Sequence, residues 1–179
     1  MNSSSVHRHA PRQSPGRHQK TTPLYTEEER KRRDASRWTL VQGILAPLQF
    51  LVFLVSLALV IRTLMTGDGA TAATVSVVVK TAVLYAIMVT GAIWEHDVYG
   101  RYLFAPAFFW EDVVSMAVMA LHTAYVLCVV FGWGTVHQQM VLALAAYAAY
   151  VINAAQFLIK FRQARRAPAT ESAALGAAS

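Results

Sequence analysis

The stretch WTLVQGILAPLQFLVFLVSLALVI, Trp38 to Ile61, contains no Asp, Glu, Lys or Arg. About 20 apolar residues cross the roughly 30 Å hydrocarbon layer of a bilayer as a helix. Lipid offers the backbone no hydrogen-bond partners, so helix is the default for such a run. Val113 to Ile159 is equally free of the four charged types and long enough for two crossings, with Gly132-Trp133-Gly134 as the break. A further apolar stretch interrupted only by Lys80 lies between them. The expectation is an all-α integral membrane protein, a four-helix transmembrane bundle with spans at about 38–61, 72–94, 113–131 and 136–159. Pro47 is expected to kink the first span.

Composition agrees. The 179 residues are 55% hydrophobic and 15% charged, against roughly 25% charged in a soluble domain. The net charge of +6 is concentrated: nine of the sixteen Lys and Arg precede Trp38, and four follow Ile159. Such clusters are retained on the cytoplasmic side and attract anionic headgroups, so the bias reads as N-in, C-in rather than as nucleic-acid binding. Residues 1–22, rich in Ser, Arg, His and Pro and without an apolar segment, read as a disordered basic tail and not a signal peptide. His7, His9 and His18 belong to that tail. Residues 23–166 form the membrane domain, and 167–179 read as a second disordered tail. Thr26 followed by Glu29 is a capping box, which predicts a short cytoplasmic juxtamembrane helix. A single cysteine, Cys128, rules out an intramolecular disulfide or a CxxC motif.

Polar side chains inside a span are costly and face the bundle interior. Gln42, Gln49 and Ser56, spaced by sevens, share one face of the first span. Glu111, Ser115, Val118, His122 and Tyr125 follow the 4-3-4-3 spacing of one face in the third. Asn153, Gln156 and Lys160 share a face in the fourth. With Glu95 at the end of the second span, these groups gather in one half of the bilayer, which points to a polar pocket open to the cytoplasm with His122 at its floor. Each has a plainer reading: interhelical hydrogen bonding for the glutamines, a structural role for His122, helix capping for Glu111 and Asp112, an interfacial ion pair between Glu95 and Arg101. Lys80 is expected to snorkel to the outer surface. The aromatic run Tyr102 to Trp110 reads as an interfacial belt or as a wall for a flat conjugated ligand.

Several stretches resemble the 3-vinyl bacteriochlorophyllide hydratase family: LYTEEER (Leu24 to Arg30), WTLVQGILAP (Trp38 to Pro47), YLFAPAFFWED (Tyr102 to Asp112), ALHTAY (Ala120 to Tyr125) and AYAAYVIN (Ala146 to Asn153). The resemblance covers about residues 23–166. It implies an enzyme of the bacterial inner membrane, a hydro-lyase of bacteriochlorophyll biosynthesis, that adds water across the ring-A vinyl group of chlorophyllide a or a related chlorin. It implies a chlorin partner and the lipid bilayer, with neighbouring pathway enzymes as further candidates. No cofactor of its own is implied, since the Mg²⁺ belongs to the chlorin. No catalytic residues are carried over from the family.

The residues themselves offer the chemistry. A general acid must protonate the vinyl terminus, and water then adds to the cation beside the ring. A carboxylic acid in an apolar pocket suits that role. Glu111, heading the polar stripe, is the first choice, with Asp112 and Glu95 as the others. His122 is the expected ligand of the chlorin Mg²⁺, and His96 the runner-up. Arg101 is expected to hold the propionate, with Gln42, Gln49, Ser115, Asn153, Gln156 and Trp110 lining the substrate site. Rival readings are a non-catalytic pigment-binding or assembly protein, a haem cytochrome, and a transporter. The last two are disfavoured by the lack of paired histidines and of an internal repeat.

Overall fold

The computed structural model describes residues 24–176, with side chains as far as residue 164. The expectations for the 1–22 and 167–179 tails fall outside the residues whose side chains are described. Five helices follow in order: α1 (Glu27–Ala35), α2 (Arg37–Thr66), α3 (Ala70–Tyr99), α4 (Phe109–Val130) and α5 (Val136–Gly176). There is no strand among the described residues. α2, α3, α4 and the Val136–Ala164 part of α5 are each long and apolar enough to cross a membrane. All four expected spans are present, and each is longer than expected. The 30 residues of α2 or α3 extend about 45 Å at 1.5 Å per residue, so their ends project beyond the hydrocarbon layer.

In each apolar window only 22–28% of residues are buried within the protein. Leu40, Leu51, Met65, Val89 and Leu158 face outward, where a soluble bundle would place charge. The interior carries the polar side chains instead. α2 packs most closely on α3, and α4 on α5; thinner seams between α2 and α5 and between α3 and α4 close the bundle. The chain is therefore two antiparallel hairpins joined side by side. Phe53 anchors the middle, with its ring 4.9 Å from Tyr150 and edge-on to Tyr147 at 5.4 Å. Ser56 bridges α2 to both neighbours by hydrogen bonds to Ser76 and to the Tyr147 hydroxyl.

α2 runs through Pro47 without a break in its helix assignment. Pro47 lacks an N–H, so the Gly43 carbonyl loses its intrahelical donor there. α2 and α3 end on glycines in the left-handed region, Gly67 (φ +78°) and Gly100 (φ +76°). A side chain at these positions would strain the turn that reverses the chain.

α1 has the expected capping box. Thr26 N–H donates to Glu29 Oε2 at 2.8 Å, and Glu29 N–H to Thr26 Oγ1 at 3.2 Å. The helix rests on the end of α3: Tyr25 stacks on Tyr99, Arg33 lies 4.8 Å from the centre of the Tyr25 ring, and Ser36 Oγ donates to Asp97 at 2.8 Å. Burial pushes the Tyr25 phenol up from its ordinary pKa, partly countered by Arg33. Replacing Thr26 with Ala should cost α1 about 1 kcal/mol. The expected readout is faster amide hydrogen exchange over residues 27–35 with an unchanged melting temperature for the bundle.

Candidate active site

Two carboxyl groups meet where α3 ends and α4 begins. Glu95, in the last turns of α3, accepts the Ala105 N–H at 2.5 Å through Oε1. Asp112, in the first turn of α4, accepts the Phe104 N–H at 2.8 Å through Oδ2. Both side chains are buried, and consecutive loop amides hold them side by side. Consecutive amides can face two carboxyls in this way because Phe104 is left-handed, with φ +60°. That conformation is unfavourable for any residue with a Cβ, and the surrounding contacts must impose it. Adjacent N–H groups converging on carboxyl oxygens form a nest.

Glu111, one residue before Asp112, points elsewhere. Its Oε2 receives Lys160 Nζ at 2.6 Å, and that ammonium also sits 5.0 Å from the centre of the Phe108 ring. Phe108 is packed among Trp94, Tyr99, Phe157 and Phe161, which form an aromatic wall beside the carboxyls. One helical turn deeper, Asn153 Nδ2 donates to Ser115 Oγ at 2.8 Å. Asn153 Oδ1, Gln156 Oε1 and both amide atoms of Gln49 are buried without a protein partner. His122 is fully buried deeper still. Its Nδ1 lies 2.8 Å from the Val118 carbonyl. A carbonyl only accepts, so Nδ1 carries the proton and Nε2 turns its other face, unpartnered, into the bundle.

The stripe read from α4 spacing is the buried face of that helix: Glu111, Asp112, Ser115, Val118, His122 and Tyr125. Three of the plainer readings need correction. Lys80 does not snorkel outward: it is 0% exposed, with Nζ 3.8 Å from the centre of the Tyr150 ring. The reason is its face: Lys80 falls in the buried stripe of α3 with Ala73, Val77 and Leu84. Glu95 turns to the Ala105 amide and Asp112 rather than to Arg101, which is exposed. Glu111 and Asp112 do not cap α4, whose N-cap is Phe108 without a side-chain bond.

Other candidates are dispersed. Gln42 Nε2 donates to Thr90 Oγ1 at 2.7 Å, tying α2 to α3. Trp110 is 69% exposed and lies with Tyr102, Phe104 and Phe109 on an outward aromatic face. His96 is exposed and stacks on Tyr102. The 104–105 nest was not legible in the sequence, because nothing marks a phenylalanine for a left-handed conformation. Lys160 was legible only as one member of a face.

Four apolar helices with a polar interior, and a carboxyl pair held by loop amides at one end, define a polytopic membrane protein equipped for acid–base chemistry. The particular family is shown by sequence. A model of the family described as 2-vinyl bacteriochlorophyllide hydratase matches residues 25–163, so the chain belongs to that family. The 2-vinyl bacteriochlorophyllide hydratase of Rhodobacter capsulatus is 67% identical over 150 residues, 84% of this chain and 87% of the relative. The protein of that name from Cereibacter sphaeroides is 68% identical over 142 residues, 79% of this chain and 88% of the relative. No solved structure matches the chain.

Proposed function

We propose that this chain hydrates the ring-A vinyl group of a chlorophyllide-type Mg-chlorin in bacteriochlorophyll synthesis, giving the 1-hydroxyethyl product. The locants 2 and 3 name the same vinyl position in two numbering schemes for the macrocycle. The observation that carries the reading is family membership across residues 25–163, which takes in the whole four-helix bundle. The experiment is turnover. Membranes containing the protein, given chlorophyllide a, should yield a product heavier by one water on chromatography with mass detection. No such product from correctly inserted protein would overturn the reading.

The carboxyl arrangement supports a division of labour. Two carboxyl groups side by side in a buried site do not readily both ionise, so the Glu95–Asp112 pair is the proposed source of the proton. That proton passes to the terminal vinyl carbon, which becomes a methyl group. The positive charge is left on the carbon beside the ring and spreads into the macrocycle. Water adds to that carbon and returns its proton to the carboxylate, so no electrons are exchanged and the acid is restored. Glu111, although first in the polar stripe, is engaged by Lys160; its role is to stabilise the developing cation as an oriented negative charge. Each carboxyl is tested by its amide variant.

His122 would ligate the substrate Mg²⁺ through Nε2, the nitrogen left free by the bond to Val118. His122→Ala should therefore weaken pigment binding, read from the absorbance of the bound chlorin, by about tenfold while changing turnover at saturation far less. Equal binding by the variant would remove the ligand assignment. Ser115, Asn153, Gln156 and Gln49 line the way from the carboxyl pair to His122, while the outward aromatic face with Trp110 receives pigment from the lipid. The charge bias favours the carboxyl end as the cytoplasmic end of an inner-membrane protein, with water entering there. Reaction by proton transfer needs no cofactor beyond the substrate itself, and a neighbouring enzyme that oxidises the carbinol would take the product.

A further inference from the structure

Lys80 takes no part in the chemistry above, and its position is costly. It lies deep in a membrane span, 0% exposed, and its Nζ has no hydrogen-bond partner. The Tyr150 ring beneath it provides one favourable contact but accepts no conventional hydrogen bond. An intramembrane lysine is normally matched by an acid or an aqueous cavity. The three buried acids of the described spans are all engaged at the carboxyl end: Glu95 and Asp112 by the nest, Glu111 by Lys160. Glu95, on the same helix, is fifteen residues and so about 22 Å away along the axis. The bundle therefore carries a basic group with free donors and no resident counter-charge.

The position of Lys80 matches one feature of the substrate class. A chlorophyllide differs from the esterified pigment in its free propionate, an anion that must otherwise be brought into an apolar interior unpaired. Resting on the hydratase reading, we propose that Lys80 is the anchor for this carboxylate, an anion-binding site inside the bilayer that selects the free acid over the ester. With its carboxylate at Lys80, the chlorin lies in the polar interior of the bundle. Gln49, Asn153 and His122, which also carry buried polar atoms without a protein partner, would face it there.

The test uses purified full-length protein in lipid nanodiscs, titrated with chlorophyllide a and with its methyl ester, and followed by pigment absorbance. The wild type should bind the acid about tenfold more tightly than the ester, the order expected for a charge-assisted bond. Lys80→Met should bind both forms with the affinity the wild type has for the ester. Lys80→Arg should retain much of the preference. Pigment-free Lys80→Met should melt no lower than the wild type, because an unpaired buried amine is removed; a lysine needed only for structure would give the opposite. Equal binding of acid and ester by the wild type overturns the proposal and leaves a membrane fatty acid as the carboxylate source. So does a preference that persists in Lys80→Met, and one lost in Arg101→Ala moves the anchor to Arg101. Hydration is assayed on the same samples. Failure of every version to form the water adduct counts against the hydratase reading, while the binding comparison still decides the anchor.

Discussion

Glu95→Gln should leave a folded, pigment-binding protein whose kcat is lower by about a hundredfold to ten-thousandfold, the range a positioned general acid supplies. The variant is informative because it preserves the geometry. A glutamine carbonyl still accepts the Ala105 N–H, and its NH₂ is able to donate to Asp112, so the loop from Arg101 to Phe108 keeps its two anchors. Only the transferable proton is lost. The affinity for chlorophyllide should change little, and the melting temperature should stay close to that of the wild type. Asp112→Asn should behave in the same way, and combining the two should cost little more than either alone, since one pair performs one function. A Glu95→Gln enzyme with near-normal turnover would reduce the pair to a fastening for the loop.

The Glu111–Lys160 pair should reveal itself first in stability. Its side chains are 10% and 24% exposed, so each single removal strands a largely buried charge. Breaking fully buried pairs costs about 3–5 kcal/mol, and partial exposure here lowers that to about 2 kcal/mol for Lys160→Met or Glu111→Gln. The double variant should recover most of the loss, which a double-mutant cycle of thermal unfolding would register as coupling of about 1–2 kcal/mol. Turnover should not recover with it. If Glu111 steadies the cation formed beside the macrocycle, the double variant regains its melting temperature and remains slow. Recovery of both would make the pair purely structural.

The sequence reading succeeded where periodicity governs. The α4 stripe was legible because lipid on one side and neighbouring helices on the other sort residues by face, so Glu111, Ser115, Val118, His122 and Tyr125 had to point together. The capping box at Thr26 was legible because its two bonds are local. Lys80 was misread because snorkelling also depends on helix face, and its spacing from Ala73, Val77 and Leu84 puts it on the buried stripe of α3 rather than on the lipid side. The grouping of the carboxyls was only half visible. Glu95, Glu111 and Asp112 could be assigned to one end, but which two face each other depends on the Phe104 backbone. Helical period has no bearing on that conformation.

The two-hairpin build also has a consequence for the order in which the proposed acid pair is assembled. Glu95 belongs to the α2–α3 hairpin and Asp112 to the α4–α5 hairpin, and the ribosome delivers the first to the membrane before the second exists. A nascent chain with only α2 and α3 inserted carries Glu95 without Asp112, and no Asn153 or His122. On the proposed mechanism, the acid pair forms only once the later hairpin has entered the bilayer and docked, so insertion of the second hairpin is what would switch on the chemistry.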